Sequence, residues 1–359
     1  MNIRNQRQEE FAEKWLKSDR FNIIHACPRF GKIKTAIIAL NQLSENIKIL
    51  ISYPDIKIRN SWMEDFEKWS YKNNNITFTT HLSLKKYKEE MYDLIIIDEI
   101  HLLSWAQIVV CKELFKRNRK VMGLTGTLSK STKSQLRQEL GLSVLVGYPI
   151  SQAIKEGVVS DYEINIYKVP LDRFVMQQFG KRRSTEDHKF KSYTYIIDKL
   201  SAMGKETKFM RLGRMRVVQN SLAKVNKTKN LLDKYKDQRV LVFCGTIKIA
   251  ESLGVPSFHS KSSDKKLFED FSNGIGNQLA VVKIGNTGIT YKPLNRIIIN
   301  SFDSNSEKMA QKINRCMSYE YNNPDKKAKI DIISSTEDVE LKWLKKSLEF
   351  FETSKIKYL

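Results

Sequence analysis

Five short runs in the first 125 residues are apolar almost without interruption: Asn22–Ala26, Ile47–Ser52, Ile76–Thr80, Leu94–Asp98 and Val121–Thr125. Stretches such as LIIID and KILISY leave no polar side for water, so they fit strands covered on both faces of a parallel sheet. Longer amphipathic segments separate them, as parallel neighbours require crossover connections. A second series follows at Val240–Phe243, Ala280–Ile284, Arg296–Asn300 and Ile330–Ile333, after a strand-like segment at Tyr162–Val169. The pattern predicts two α/β domains, residues 1–148 and 149–359, joined near residues 145–160. A length of 359 residues agrees with two or three domains. Between the two series lies a basic, mainly helical segment at about 171–236. A C-terminal helix is expected at about 336–353, with Ser335 and Asp338 placed for a capping box.

Charge narrows the partner. The chain has 62 Lys+Arg against 40 Asp+Glu, a formal net charge of +22, which favours a polyanion: nucleic acid first, an anionic membrane surface second. Residues 171–240 hold 18 Lys+Arg and 7 Asp+Glu, half of that excess. Here Lys181, Arg182, Arg183, Lys189, Lys191, Arg211, Arg214 and Arg216 are interleaved with Phe190, Tyr193, Tyr195 and Phe209. Such a mixture suits phosphate neutralisation and base stacking; it equally suits a solvated, lysine-rich surface. No apolar run approaches the roughly 18 residues that span a bilayer. The N-terminal sequence carries acids and no apolar core of a secretory signal, which points to the cytoplasm, or to a host cytoplasm for a phage-encoded chain. Four scattered cysteines, Cys27, Cys111, Cys244 and Cys316, form no CxxC pair, so neither a disulfide framework nor a zinc site is expected.

Residues Ala26-Cys27-Pro28-Arg29-Phe30-Gly31-Lys32 follow one apolar run and precede an amphipathic helix. That is the setting of a phosphate-binding loop: backbone N–H groups and a helix N-terminus face the anion while the lysine reaches the outer phosphates. Ile33 stands where a hydroxyl usually coordinates Mg²⁺, and Thr35, two residues on, points elsewhere once the helix has begun. About 70 residues downstream, an apolar run ends in Asp98-Glu99-Ile100-His101. An acid at the end of a buried strand can hold the Mg²⁺ of ATP, and the adjacent Glu99 can orient the attacking water.

At these residues the chain resembles superfamily 2 helicases and translocases of the DExH type, closest in look to small phage and bacterial DNA helicases of the recombination and restriction kind. Gly31-Lys32 resembles motif I and Asp98–His101 motif II. Arg4 and Gln8, with Gln6 as a substitute, resemble the adenine-reading segment. Tyr53-Pro54 with Ser61-Trp62 is similar to motif Ia, Thr80-His81 to the next strand-contacting motif, and Thr125-Gly126-Thr127 to motif III. In the second half, Leu241–Cys244 with Gly245 and Thr246 resembles motif IV, Phe258-His259-Ser260 the motif after it, Thr287-Gly288 motif V, and Gln311–Ser318 motif VI. The resemblance implies two RecA-like domains in tandem and an ATP-dependent DNA helicase or translocase, acting on forked or branched DNA. Its cofactors would be ATP and Mg²⁺. Lys32, Asp98, Glu99, Gln311 and Arg315 would be catalytic, with Asp98 the metal ligand. Residues Ala26 to Ile33 and Gly288 would join Arg4 and Gln8 at the nucleotide. Tyr53, Pro54, Thr80, His81, Thr125, Thr127, Gly245, Thr246, His259 and Thr287 would face nucleic acid, with Lys181, Arg182 and Arg183 as an accessory grip.

The motifs also depart from the family pattern. Asn314 replaces a glycine of motif VI and Ser318 its second arginine, for which Arg29 or Lys312 are candidate substitutes. With Ile33, these changes keep open a catalytically weakened, nucleotide-dependent binding module, besides the motor subunit of a restriction or recombination complex and an RNA helicase. Thr-Gly-Thr in motif III favours DNA over RNA. No nuclease is visible in this chain, so a nuclease or recombination partner would be a separate protein. A monomer is expected, and the motor reading leaves membrane binding without support.

Overall fold

The computed structural model describes residues 2–18, 21–180, 182–262, 264–282, 291, 294–320, 323 and 325–359. The chain divides into two compact units, residues 1–160 with 318–324, and residues 161–317 with 325–359.

In the first unit the apolar runs form β1 (Phe21–Ala26), β2 (Ile49–Tyr53), β3 (Ile76–Thr80), β4 (Leu94–Asp98) and β5 (Lys120–Thr125), joined by β6 (Ser143–Tyr148). They make one parallel sheet in the order β3-β2-β4-β5-β1-β6. Helices α1 (Ile3–Leu16), α2 (Lys32–Leu40), α3 (Ile56–Lys68), α4 (Trp105–Lys116), α5 (Lys130–Leu140) and α6 (Ile150–Lys155) accompany it. β2 and β4 are buried at every position, as runs without a polar side require. Ile23, Ile95, Ile97 and Val121 pack with Ile100, Leu114 and Phe115 in one core cluster. β6 had no clean apolar run to announce it: Ser143 and Gly147 are exposed at this sheet edge. Its Tyr148 ring packs edge-on to Phe11 and at a tilt to Phe30, with centroids 5.6 and 5.1 Å away. The three rings tie α1 and the edge strand to the loop after β1.

The second unit contains β7 (Asp161–Val169), a hairpin of β8 (Gln177–Phe179) and β9 (Arg182–Ser184), and helices α7 (Glu186–Ala202), α8 (Lys208–Gln219) and α9 (Leu222–Lys234). Then come β10 (Val240–Cys244), α10 (Ile247–Ser252), β11 (Ser257–Phe258), α11 (Lys265–Asn273), β12 (Gln278–Val282), β13 (Arg296–Ile299), α12 (Ser306–Ile313), β14 (Lys327–Ser335), α13 (Asp338–Ser347) and β15 (Ile356–Tyr358). Its parallel sheet runs β11-β12-β10-β13-β14-β7-β15. Thus the fold is two parallel-sheet α/β domains with a basic, mainly helical segment outside the second sheet. That segment also holds the β8–β9 hairpin, which sequence patterning missed because three-residue strands carry no period. Among the described residues no helix is long and apolar enough to cross a membrane.

The C-terminal helix is shorter than the sequence suggested. α13 ends at Ser347, Leu348 and Phe351 turn into the core, and Ile356–Tyr358 pairs with Ile164–Ile166 of β7 as an edge strand. The expected Ser335–Asp338 capping box does not form. Instead Glu340 reaches back to accept from the Ser335 N–H at 2.6 Å, while its other oxygen accepts from Lys224 Nζ at 2.6 Å. Lys224 and Glu340 are both fully buried, so the pair ties α9 to α13 at the price of desolvating two charges. Removing one partner strands the other. Lys224→Met should therefore cost about 3–5 kcal/mol in urea unfolding, whereas Lys224→Met with Glu340→Leu should recover most of it. Equal losses in the single and double variants would show that the pair's charge is irrelevant.

Candidate nucleotide site and motif geometry

The loop after β1 is set by backbone constraints. Arg29 adopts φ 70 and Gly31 φ 92, both left-handed. The Phe30 N–H closes onto the Cys27 carbonyl at 3.2 Å, and the Cys27 N–H onto the Tyr148 carbonyl at 3.0 Å. α2 starts at Lys32 on Gly31, which has no side chain to cap it, so first-turn N–H groups stay available to an anion. Gln8 is buried in α1 and donates to the Phe30 carbonyl at 2.8 Å, while its Oε1 has no hydrogen-bond partner. Gln6 is exposed, so between the two glutamines it is Gln8 that touches the loop. The Arg4 guanidinium donates to the Val158 carbonyl. Cys27 is buried, and burial pushes its thiol up to about 12, which makes it a packing residue rather than a reactive thiolate. Burial and the Lys32 charge push His25 down to about 4, so it stays neutral.

The end of β4 meets this loop. Lys32 Nζ lies 3.5 Å from Glu99 Oε1, and Glu99 sits in a left-handed turn at φ 47. Burial would raise the Glu99 carboxyl, but the Lys32 charge and His101 outweigh it and hold it below the ordinary range. Asp98 behaves oppositely. Burial, reinforced by the Glu99 charge, pushes its carboxyl up, although Lys32, Trp62 Nε1 at 3.0 Å and the Glu99 N–H at 2.9 Å pull the other way. A buried carboxylate with uncompensated charge is the donor that a cation would satisfy. No group of three or more His, Cys, Asp or Glu suited to a metal occurs among the described residues. Asp98 alone would give Mg²⁺ one carboxylate, which fits an ion that keeps waters and takes phosphate oxygens. Thr35 does not replace the missing hydroxyl ligand: it is fully buried and its Oγ1 donates back to the Gly31 carbonyl at 3.3 Å.

The turn after β5 closes the same corner. His101 Nδ1 lies 2.9 Å from Thr125 Oγ1 and 3.3 Å from Glu99 Oε2, and Thr125 Oγ1 donates to the Thr127 carbonyl at 2.6 Å. A Cβ on Gly126 would come within 3.1 Å of Lys32 Nζ and 3.0 Å of Pro28. Of the residues expected to face nucleic acid here, Tyr53, His81, Thr125 and Thr127 are buried, while Pro54 and Thr80 are half-buried. His81 is held by Ser52 Oγ at 2.7 Å. Sequence reading placed Trp62 and His101 in motif-like segments but not among the site residues; the fold brings the Trp62 indole N–H to Asp98 and His101 beside Glu99.

In the second unit, a Cβ on Gly245 would fall 2.6 Å from Ser301 Oγ, so the ends of β10 and β13 touch through a glycine. Lys312 donates to the Ser301 carbonyl at 3.0 Å, and burial pushes its ammonium down to about 8. Thr246 accepts from the Ile249 N–H, and His259 is buried with Glu251 3.4 Å from its Nε2. Gln311 is half-buried on α12, and Arg315 is buried in the turn that follows. Arg182 and Arg183 are exposed on β9. Lys181, Thr287 and Gly288 lie outside the described residues.

Residues 223–320 match the family model for the helicase conserved C-terminal domain. Solved structures share the fold across nearly the whole chain. The Pyrococcus furiosus Hef helicase domain is 13% identical at a TM-score of 0.53, covering 96% of this chain and 98% of that one. Saccharomyces cerevisiae Dbp5 bound to RNA and ADP BeF3 is 10% identical at 0.63, covering 98% and 88%. A DEAD box protein from Methanococcus jannaschii is 16% identical at 0.51, covering 98% and 92%. At these identities the likeness establishes the fold, that of tandem RecA-like helicase domains. No curated protein sequence matches the chain.

Gly31 tests the loop geometry directly. A Cβ there would lie 2.6 Å from Gln8 Nε2 at a φ that disfavours side chains. Gly31→Ala should cost about 1–2 kcal/mol in stability and weaken binding of a fluorescent ATP analogue at least about tenfold (1.4 kcal/mol or more). Undiminished binding would show that the loop does not hold the nucleotide.

Proposed function

We propose that this chain is a nucleic-acid-dependent ATPase of superfamily 2, of the DExH type, coupling ATP hydrolysis to movement on or remodelling of DNA. The observation that carries the reading is the apposition of Lys32 and Glu99 at 3.5 Å, with Asp98 buried beside them at the end of β4. Lys32 and the first-turn N–H groups of α2 hold phosphate oxygens. Asp98, braced by Trp62, would hold the metal. Glu99 orients water and accepts its proton, and His101 links Glu99 to Thr125 of motif III. Bound Mg²⁺ would offset phosphate charge during the transfer. Gln8, with its carbonyl oxygen open, suits an amino group on the adenine edge.

Lys32→Ala should abolish hydrolysis stimulated by nucleic acid. Glu99→Gln should keep ATP binding within about threefold (about 0.65 kcal/mol) and lower turnover by about 10²-fold or more. Phosphate release checks both, and wild-type turnover in Lys32→Ala would sink the assignment.

A second reading, a nucleotide-dependent nucleic-acid-binding module with little turnover, draws support from Ile33 and from Thr35 being spent on the helix backbone. Phosphate release from the wild type, measured with single-stranded DNA, duplex, forked DNA and RNA, separates the readings. Stimulation should be strongest with forked or single-stranded DNA. Binding without release would favour the second reading, and stimulation by RNA alone would overturn DNA as substrate.

A further inference from the structure

The basic segment outside the second sheet encloses a cleft of about 640 Å³, walled by the β8–β9 hairpin, the α7–α8 arm and the α9–α10 side of the sheet. Its size suits one or two nucleotides and excludes a duplex. Two cations line it, the exposed Arg216 and Lys248, and a third, Lys189 Nζ, lies 4.7 Å from the centroid of the Tyr193 ring in its wall. The acid in the wall, Glu186, is already satisfied. It accepts from Ser221 Oγ at 2.7 Å, the Asp172 N–H at 3.1 Å, Gln177 Nε2 at 2.8 Å and the Leu222 N–H. Glu186 is held by neutral donors rather than by the cations, and Arg216 and Lys248 outnumber it on the wall.

Its aromatic wall is rigidly placed. Tyr193 and Phe179 pack on the cluster of Leu171, Phe190, Val217 and Val218. A Cβ on Gly213 would come within 2.6 Å of the Tyr193 ring, so α8 approaches that ring only because residue 213 has no side chain. Asn220 adds an amide able to read a base edge, and Thr246 places the cleft beside the end of β10. Fixed rings, an amide edge and unspent cations are the chemistry of single-strand binding. An acidic peptide would use the cations and leave the rings idle.

We propose that this cleft takes a single-stranded segment of nucleic acid, with a base lodged against Tyr193 and Phe179 and its phosphates paired with Arg216 and Lys248. The inference rests on the ATPase reading above and names the part of the basic segment that grips the strand. The arm then discriminates single strand from duplex.

The test is fluorescence anisotropy of the full-length protein with labelled oligo-dT, oligo-U and a blunt duplex. The variants are Arg216→Ala, Lys248→Ala, Tyr193→Leu and Tyr193→Phe, with Lys205→Ala, an exposed lysine of the α7–α8 turn, as control. Tyr193→Leu should weaken single-strand binding about fivefold or more, Tyr193→Phe should restore it, and Arg216→Ala should lower the salt slope by about one. Duplex binding and the Lys205→Ala control should stay near wild type. Stronger binding of oligo-dT than oligo-U would make the strand DNA, and the reverse would make it RNA. Wild-type single-strand affinity in all the cleft variants would overturn the inference while leaving the ATPase reading intact. So would charge variants that fail while Tyr193→Leu does not. A wild-type protein that neither binds nor responds to any nucleic acid would overturn both.

Discussion

A strand that must pair in parallel with its neighbour cannot reach it by a tight turn, so the chain has to cross back through a helix each time. In both sheets of this protein every pairing is parallel. The consequence is geometric. The loops that leave the carboxyl ends of the strands gather along one edge, where ligands bind in such sheets. Ala26, Asp98 and Thr125 are the last residues of β1, β4 and β5. The loop after β1, the Asp98–Glu99 pair and the Thr125–Thr127 turn meet because β4, β5 and β1 lie side by side.

At that edge the protein holds two acids with one lysine in a buried setting. Lys32 lies 3.5 Å from Glu99 and offsets the burial of that carboxyl, whereas burial together with the Glu99 charge leaves the Asp98 carboxyl raised. The two carboxyls are shifted in opposite directions, Glu99 down by the Lys32 charge and Asp98 up by burial and its acidic neighbour, and the roles proposed for them above follow that difference. Trp62, His101 and Gly126 keep the arrangement in place. The first two supply hydrogen-bonding N–H or ring nitrogen atoms, and the third supplies the absence of a Cβ.

Strands that are apolar on both faces were legible because nothing but a covered parallel sheet accommodates them. Two edge strands, β6 and β15, were not. β6 exposes Ser143 and Gly147, β15 exposes Lys357 and Tyr358, and each is defined by its partner strand rather than by its own pattern. The same holds at the C-terminal helix. Glu340 bonds Lys224 instead of leaving capping to Ser335 and Asp338, because a buried ammonium 116 residues earlier needed a counter-charge. No local motif announces such a pairing.

The residue types of the phosphate loop and the acid pair, their order, and the large positive charge belong to the sequence itself. They follow from local requirements: a turn with left-handed residues, a lysine, an acid at a strand end. Which side chains touch them is a matter of tertiary packing. Gln8 rather than Gln6 meets the loop, Thr35 is spent on the Gly31 carbonyl, and Trp62 reaches Asp98 from another helix. The basic segment shows the division most clearly. Its composition was equally a solvated surface or a grip. The fold buried Glu186 among four donors and set Tyr193 against Gly213, so that Arg216 and Lys248 line a cleft with an aromatic wall. A linear sequence fixes how many charges a segment carries, but only packing decides which partners each of them meets.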